Sequence, residues 1–199
     1  MRKSFIVSVM AMAVLVAGCN TSAIPDPALS AKDVELLALT PKFARNQDAF
    51  RMRQRMKDNT GQEPGTIVID SDAKFLYFVE EKGTMLRYEI SVGAQEFTWS
   101  GDAVVRRKAE WPQWVPMEEA RKLNPALPKV VLGGPDNPLG ARALYLHDAD
   151  GKDTYIRIHG TNEPEYIGQN VSLGCIRMHN VDVIDLHERS KIGAKVVVR

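Results

Sequence analysis

Three β-rich runs follow one another closely between Thr66 and Val92, and they limit the possible folds of this chain more than any other feature does. β-Branched and aromatic residues are frequent in the runs, and short turns containing Gly, Ser and Asp separate them. The last run, from Leu86 to Val92, alternates apolar and polar residues, which is typical of a half-buried strand. We therefore expect an antiparallel meander near the start of a β-rich domain.

The remainder of the chain predicts more strands and two helices. One short helix is expected over 117–123, after Pro116. A longer helix is expected from residue 181 to about residue 191, with Asn180 as its N-cap and Gly193 just past its end. Further strands are expected at 130–132, 143–147, 155–159 and 195–198. The predicted fold class is mostly β, a β-rich mixed fold of antiparallel sheets with a few short helices.

Composition and charge exclude two broad classes of protein. The 199 residues are 44% hydrophobic and 26% charged, a globular balance that argues against a disordered chain. The formal net charge is +1 at pH 7, so the protein has no strong field to attract nucleic acid. The length suits one domain together with a leader and a tether.

The start of the chain has the features of an export signal. Arg2 and Lys3 precede an apolar run over 5–16 that is too short to cross a membrane comfortably. The run ends in Val16-Ala17-Gly18-Cys19, which resembles a bacterial lipobox and implies lipidation of Cys19 after cleavage. An ordinary signal peptide with a chance cysteine is the alternative.

This interpretation divides the chain into a signal peptide over 1–18, a lipid-anchored tether with partial helix over 19–64, and a folded domain over 65–199. Lipidation implies a periplasmic protein anchored to the cell envelope. Asn20 after the cysteine is compatible with delivery to the outer membrane, which is favoured, with the inner membrane as the alternative. Within the tether, Ser30-Ala31-Lys32-Asp33 predicts the capped start of a short helix. Six basic residues against one acid over 42–57 predict a solvated helix, with contact to an anionic surface as the alternative.

The two cysteines are informative because lipidation of Cys19 would leave Cys175 without a partner. Exported proteins usually pair their cysteines or lack them, so a lone thiol is a candidate nucleophile, with a buried inert thiol as the alternative. His159 ends a predicted strand sixteen residues earlier, and the loop between them contains Gly160 and Pro164. Such a loop can fold back and bring a base to the thiol.

The residues beside Cys175 suit an attack on a carbonyl group. Gly174 allows the backbone to approach a substrate closely, and amide groups near Cys175 can hold an oxyanion. Arg177 supplies a cation that suits a carboxylate. If His159 contacts the thiol, a charged pair is expected, in which the cysteine pKa falls and the histidine pKa rises.

Two linked motifs resemble the signature of the L,D-transpeptidase catalytic domain. They are His159-Gly160-Thr161 and Ser172-x-Gly174-Cys175-Ile176-Arg177-Met178. The segment 134–142 also resembles that family's approach to the histidine strand, and the resemblance extends from about Gly65 to Arg199. One departure is Leu173, where many relatives carry a second histidine.

The resemblance implies a role for each matched residue. Cys175 would be the nucleophile, and His159 would be the general base, oriented by a backbone carbonyl. Gly174 and the backbone of Cys175 would form the oxyanion site. The substrate cleft would be shaped by Ser172, Arg177, Gly160 and Thr161.

The resemblance also implies a reaction, peptidoglycan L,D-transpeptidation. The thiolate would attack the carbonyl at the L-centre of a stem tetrapeptide, release the terminal D-Ala and leave a thioester on Cys175. An amine of a second stem would then form a 3→3 cross-link, or an amine of an envelope protein would be attached to the wall. Water would instead give L,D-carboxypeptidase activity. The reaction requires no metal or organic cofactor, and a carbapenem is an expected acylating inhibitor.

Other interpretations fit the residues less well. A non-catalytic wall-binding lipoprotein with this fold would be expected to lose the cysteine or the histidine, and a papain-like endopeptidase would place the cysteine first. Zinc binding by Cys175, His179 and His187 lacks paired ligand spacing, so no metal site is expected, and both histidines are predicted at the surface. His147 is predicted as an ordinary strand-end residue.

The tryptophans suggest a lid. Two prolines stiffen the segment 111–116, which is predicted as a lid over the cleft. For each of Trp99, Trp111 and Trp114 taken separately, plain packing is the favoured interpretation.

Overall fold

The computed structural model describes residues 22–42, 52–94 and 99–199. The predicted leader, the predicted lipidation site at Cys19 and residues 43–51 of the basic stretch lie outside the described residues. Within the described ranges, no helix has both the length and the apolar character needed to cross a membrane.

Strands dominate the described residues, and the helices among them are short, so the mostly β fold class is confirmed. The strands are β1 Ser22–Ala23, β2 Gln54–Lys57, β3 Ile67–Asp70, β4 Phe75–Val79, β5 Thr84–Gly93, β6 Gly101–Glu110, β7 Arg142–His147, β8 Asp153–His159, β9 Asn170–Ser172, β10 Ile176–Met178 and β11 Lys195–Val198. The α-helices are α1 Ala31–Leu39, α2 Glu118–Leu123 and α3 Asn180–Arg189. Short 3₁₀ turns occur at Glu81–Gly83 and Pro164–Tyr166.

The three β-rich runs form the predicted antiparallel meander. β3 pairs with β4 and β4 pairs with β5, both antiparallel. The opposite edge of β5 pairs with β2 and then with β10, so β5 lies inside the sheet.

The expectation that β5 is half-buried is wrong. Its polar residues Arg87, Glu89 and Ser91 are buried as well as its apolar ones. Arg87 Nη2 donates to Gln54 Oε1 at 3.0 Å, and Ser91 Oγ donates to the carbonyl of Tyr166 at 2.9 Å. The polar face of β5 is therefore covered by other parts of the chain, which alternation along one strand cannot reveal.

The sheet closes on itself because β11 returns beside the meander. β11 pairs parallel to β3 and antiparallel to β6. The order β5-β10-β8-β7-β6-β11-β3-β4 is completed when β4 pairs with β5. Closure removes unpaired strand edges, and an apolar cluster that includes Tyr88, Leu144 and Ile158 fills the core. The pairings β8–β10 and β3–β11 are parallel, which the prediction of antiparallel sheets did not include.

Helix α1 has the predicted capping box, and one of its residues is buried. Ser30 Oγ accepts from the Asp33 amide at 3.1 Å, and Asp33 is only 2% exposed. The Asp33 carboxylate accepts two hydrogen bonds from Arg142, both at 2.8 Å, and one from Trp111 Nε1 at 2.9 Å. Burial opposes ionisation, but hydrogen bonds from Arg142, Ser30 and Trp111 outweigh it and hold the pKa of Asp33 well below its usual range. This part of the segment predicted as a tether is therefore packed on the sheet domain.

The basic stretch is not a solvated helix where the structure describes it, so that prediction is wrong. Residues 54–57 form β2, which pairs with β5. Arg53 is 3% exposed, and it contacts Asp182 at 3.2 Å and Asp26 at 3.1 Å. Arg55 contacts Glu80 at 2.6 Å. Carboxylates of the same chain therefore neutralise the charges of Arg53 and Arg55.

The boundaries predicted between leader, tether and folded domain stay a prediction.

The segment predicted as a lid is fixed at its start. Trp111 is 5% exposed and donates to Asp33, so packing is its role in this structure. Trp114 forms an isolated antiparallel bridge with Val131, which is all that exists of the strand predicted at 130–132. Trp99 packs against the main apolar cluster. Movement of a lid over the cleft stays a prediction.

The helices after residue 116 lie close to the predicted positions, but one cap is wrong. α2 begins at Glu118, and α3 begins at Asn180 with His179, not Asn180, as its N-cap residue. The Asn180 side chain does not cap the helix, because it forms hydrogen bonds with backbone groups of Ala141 and Thr161.

Candidate active site

The two motif residues of greatest interest, Cys175 and His159, are related by the pairing of the parallel strands β8 and β10. In the pairing of β8 with β10, Ile158 is opposite Ile176 and His159 is opposite Arg177. Side chains alternate along a strand, so His159 and Arg177 share one face. Cys175 lies two residues before Arg177, immediately before the start of β10, so the alternation extended by one residue would put it on the same face.

His159 is buried, and its tautomer is defined. The side chain is 4% exposed, and Nδ1–H donates to the carbonyl of Gly160 at 2.6 Å. This bond leaves the Nε2 lone pair to accept a proton. Burial, followed by the positive charge of Arg177, lowers the pKa of His159 to about 3, although the bond to Gly160 acts in the opposite direction. His159 is therefore neutral near neutral pH.

The loop after His159 is held by the side chain of Asn180. Asn180 Oδ1 accepts from the amides of Ala141 at 3.0 Å and Thr161 at 3.1 Å, and Nδ2 donates to the carbonyl of Thr161 at 2.8 Å. The Gly160 amide donates to the carbonyl of Arg142 at 3.0 Å. Gly160 and Thr161, predicted at the substrate cleft, are buried and support the loop whose carbonyl orients His159.

Close packing explains why Gly160 is a glycine. A Cβ at this position would overlap Asn180 Oδ1 and would lie 2.9 Å from the Ala141 amide nitrogen. Gly140 is constrained in the same way by Asn180 and the Thr161 amide, and its φ is +59°. The backbone segments at Gly140 and Gly160 thus cross in close contact beside His159.

The thiol of Cys175 is half-buried and lies against β8. Its Sγ donates to the carbonyl of Tyr155 at 3.8 Å. Burial raises the pKa of the Cys175 thiol above its ordinary value, and the amide and guanidinium of Arg157 offset only part of this. The expected charged Cys–His pair is therefore wrong for the unliganded protein, because burial favours the neutral form of both groups.

Ser172 orders the turn that carries the cysteine. Its Oγ donates to the Cys175 carbonyl at 2.6 Å and accepts from the Gly174 amide at 3.1 Å. Gly174 has φ +109°, a conformation that favours glycine. Because the Gly174 amide already donates to Ser172, it does not face a substrate in this conformation.

Arg177 already contacts a carboxylate of its own chain. Its Nη1 lies 3.0 Å from Glu163 Oε2, and the Arg177 side chain is 21% exposed. Glu163 immediately precedes the Pro164–Tyr166 turn. A substrate carboxylate at Arg177 would have to compete with Glu163.

Sequence patterns did not identify three residues that contact the thiol or support the histidine loop. Tyr155 and Arg157 contact Cys175 through β8, and alternation along the predicted strand 155–159 would have placed Arg157 on the face of His159. Asn180 was recognised only as a helix cap. Its contacts with Thr161 and Ala141 depend on tertiary structure and leave no local signal.

The histidines considered for zinc binding have other surroundings. Among residues 22–42, 52–94 and 99–199, no three His, Cys, Asp or Glu side chains are grouped as metal ligands would be. His179 and His187 are half-buried, His179 at the N-cap of α3 and His187 within it. Burial, with the charge of Lys108, lowers the pKa of His187 to about 4. His147 ends β7, and its Nδ1 lies 2.8 Å from the carbonyl of Gly151.

Comparison with known proteins identifies the family. The family model YkuD, described as the L,D-transpeptidase catalytic domain, matches residues 64–198. The chain is 32% identical over 140 residues to "Probable L,D-transpeptidase ErfK/SrfK" of Escherichia coli, across 67% of this chain and 43% of that protein. It therefore spans less than half the length of that curated relative.

Two solved structures are similar. One, from Brucella melitensis and described as a "Probable carnitine operon oxidoreductase caia", is 45% identical, with a TM-score of 0.51 over 81% of this chain and 97% of that one. The other, an L,D-transpeptidase from Mycobacterium smegmatis, is 16% identical, with a TM-score of 0.52 over 75% of this chain and 67% of that one, a likeness that shows the fold alone. With a family model matching most of its length, this chain belongs to the L,D-transpeptidase catalytic domain family.

Proposed function

We propose that this protein is a peptidoglycan L,D-transpeptidase, with Cys175 as its nucleophile and His159 as its general base. The observation that carries the proposal is the register of β8 and β10, in which Arg177 lies opposite His159 and Cys175 comes two residues before Arg177. A buried histidine whose Nδ1–H bonds to the Gly160 carbonyl keeps Nε2 free to take a thiol proton, which suits thioester chemistry. Family membership supports the same class of reaction.

The first half-reaction is acylation of Cys175. His159 Nε2 takes the thiol proton as the sulfur attacks the carbonyl at the L-centre of a stem tetrapeptide. The C–S bond forms and the carbonyl electrons move to oxygen. When the tetrahedral intermediate collapses, the C–N bond breaks and D-Ala leaves as an amine after receiving the proton from His159.

The neutral resting pair determines when the proton moves. With a histidine pKa of about 3 and a thiol pKa above its ordinary value, little thiolate is present before substrate binds. Proton transfer therefore accompanies formation of the C–S bond. In this conformation the Gly174 amide donates to Ser172, so the amide of Cys175 is the better candidate for holding the oxyanion.

The second half-reaction returns the enzyme to its starting state. An acceptor amine loses a proton to His159 and attacks the thioester carbonyl. The C–S bond then breaks, and the sulfur recovers a proton from His159. A second stem peptide gives a 3→3 cross-link, an envelope protein gives attachment to the wall, and water gives L,D-carboxypeptidation.

We also propose that the protein is an outer-membrane lipoprotein of the periplasm. The support is the sequence Val16-Ala17-Gly18-Cys19-Asn20. Replacing Cys19 with Ser should abolish incorporation of radiolabelled lipid and release the protein from membranes. Unchanged labelling would refute lipidation at this residue.

Incubation of the protein with purified muropeptides tests the proposed activity. Mass spectrometry should detect loss of D-Ala and formation of 3→3 cross-linked dimers. Cys175→Ala should form neither product while keeping the circular dichroism spectrum of the wild type. Products at the wild-type rate from Cys175→Ala would refute the proposal.

A further inference from the structure

Four side chains form a row across neighbouring strands that begins at the thiol. Arg107 on β6 is opposite Tyr145 on β7, and Tyr145 is opposite Arg157 on β8. The pairing of Ile158 with Ile176 puts Cys175 at the level of Arg157. The row therefore runs from Cys175 through Arg157 and Tyr145 to Arg107, perpendicular to the strands.

The side chains of this row are in contact. The Arg107 guanidinium lies over the Tyr145 ring, 3.3 Å from its centroid, and the Arg157 guanidinium lies 4.6 Å from the same centroid. Arg157 is also 6.0 Å from the ring centroid of Tyr155, which is 62% exposed. Stacking on aromatic rings holds a guanidinium in place while leaving its N–H groups available to a ligand.

Irregularities in two strands produce the row. The β6–β7 register shifts between Val105 and Arg107, so Arg106 is an extra residue and Arg107, not Arg106, faces Tyr145. The β7–β8 register shifts just beyond Tyr145, where Tyr155 has φ +60°, unusual for a non-glycine residue. Bulges redirect side chains and are frequent beside active sites. Here both occur at the level of Tyr145.

The two arginines of the row differ in their partners. Arg157 is neutralised by Asp153, with two hydrogen bonds of 2.7 Å. Arg107 is exposed, and no carboxylate among the described residues forms an ion pair with it. Arg107 thus presents a charged hydrogen-bond donor above Tyr145, and its strand β6 lies three strand spacings, or about 14 Å, from the cysteine strand.

We propose that Arg107, stacked on Tyr145, binds a carboxylate of the stem peptide and so determines substrate specificity. This inference rests on the proposed function, because the peptide must be the one whose carbonyl Cys175 attacks. A span of about 14 Å corresponds to about four extended residues. The recognised carboxylate therefore lies three or four residues from the attacked carbonyl. Guanidinium groups bind carboxylates with two parallel hydrogen bonds, which favours the acid over its amide.

The first test measures kcat/KM for release of D-Ala from a synthetic stem tetrapeptide and from analogues with one carboxylate at a time converted to the carboxamide. Amidation of the recognised carboxylate should lower kcat/KM of the wild type about 10- to 100-fold. For Arg107→Gln, kcat/KM for the parent peptide should already be reduced by the same factor, and amidation should not lower it further. Arg107→Lys should recover part of the discrimination.

Two controls separate recognition from damage. Arg106→Gln changes the adjacent exposed arginine at the bulge and should behave as the wild type. Alkylation of Cys175 by iodoacetamide, a neutral reagent, should proceed equally in the wild type and in Arg107→Gln. Slower alkylation in Arg107→Gln would mean that the thiol itself is perturbed, which contradicts the proposal.

Binding to the full chain carrying Cys175→Ala separates this inference from the proposed function, because it needs no turnover. By calorimetry this variant should bind the parent peptide about tenfold more tightly than the amidated analogue, and addition of Arg107→Gln should abolish the difference. Equal binding of all peptides, or discrimination that survives Arg107→Gln, would overturn the subsite. Absence of D-Ala release from the wild type, with discrimination intact in this assay, would refute the activity alone.

Discussion

Asn180 and Thr161 are joined by two hydrogen bonds, from the Thr161 amide to Oδ1 at 3.1 Å and from Nδ2 to the Thr161 carbonyl at 2.8 Å. Thr161 follows Gly160, whose carbonyl accepts from His159 Nδ1. The amide side chain at the start of α3 therefore supports the loop that orients His159, the proposed base, through the Thr161 backbone.

Asn180→Ala should lower kcat about tenfold, because the loop that orients His159 loses its support, and should lower the free energy of unfolding by about 1–3 kcal/mol. Kinetics and urea denaturation measure the two effects. Asn162→Ala is the control, because Asn162 makes one exposed hydrogen bond to the Asp136 carbonyl and should leave both values unchanged. Wild-type kcat in Asn180→Ala would show that His159 does not depend on this side chain.

Gly160→Ala should destabilise the fold and reduce activity together, since its Cβ would overlap Asn180 Oδ1. Forced overlap in a packed region costs about 1–3 kcal/mol. Gly134→Ala is the matched control and should be less destabilising, because a Cβ there meets no atom within 4 Å. Equal melting temperatures for the two variants would contradict the close crossing of the two backbone segments.

Asp33→Asn should destabilise the protein by about 3–5 kcal/mol, because the charge of Arg142 would be left buried and uncompensated. Both side chains of this pair are less than 5% exposed. Glu118→Gln breaks a comparable contact with Lys122, but those side chains are 77% and 66% exposed, so its effect should lie within error. Denaturant titration distinguishes the two, and a small effect of Asp33→Asn would show that residues 31–39 contribute little to the fold.

Part of this structure follows from sequence patterns, and the remainder depends on tertiary contacts. β3, β4 and β5 are long or apolar enough to be recognised, whereas β6 was missed because five of its ten residues are charged. β10 has only three residues, yet it supplies the register that relates Cys175 to His159. The cysteine and the histidine were found from their motifs.

The charge state of Cys175 and His159 could not be predicted from their sequence motifs. The sequence places an imidazole and a thiol in linked motifs, but it does not show that His159 is 4% exposed. Burial reverses the expected direction of both pKa shifts. The neighbouring charges of Arg157 and Arg177 are likewise a consequence of strand pairing.

The depressed pKa of His159 predicts a loss of stability in acid. The folded-state pKa is about 3, whereas an unfolded histidine titrates near 6.5. The contribution of His159 is therefore fully present above pH 6.5, and it decreases by about 1.4 kcal/mol per pH unit as the pH falls towards the folded-state pKa. Urea denaturation between about pH 4 and pH 6 should give a shallower dependence on pH for His159→Gln than for the wild type. The same slope in both proteins would mean that His159 is not buried in its neutral form.

The most direct test of the account is the pH dependence of carbapenem acylation at Cys175, measured by stopped-flow fluorescence in the wild type and in His159→Ala. With a neutral resting pair, the wild-type rate constant should change little between about pH 5 and pH 8, since His159 stays unprotonated and the thiol stays protonated throughout. His159→Ala should be slower near pH 7 by roughly 10²–10⁴-fold, and its rate should rise about tenfold per pH unit as free thiolate accumulates. Identical profiles for the two proteins, or a wild-type profile with an acid limb between pH 5 and pH 8, would contradict general-base activation of Cys175 by a neutral His159.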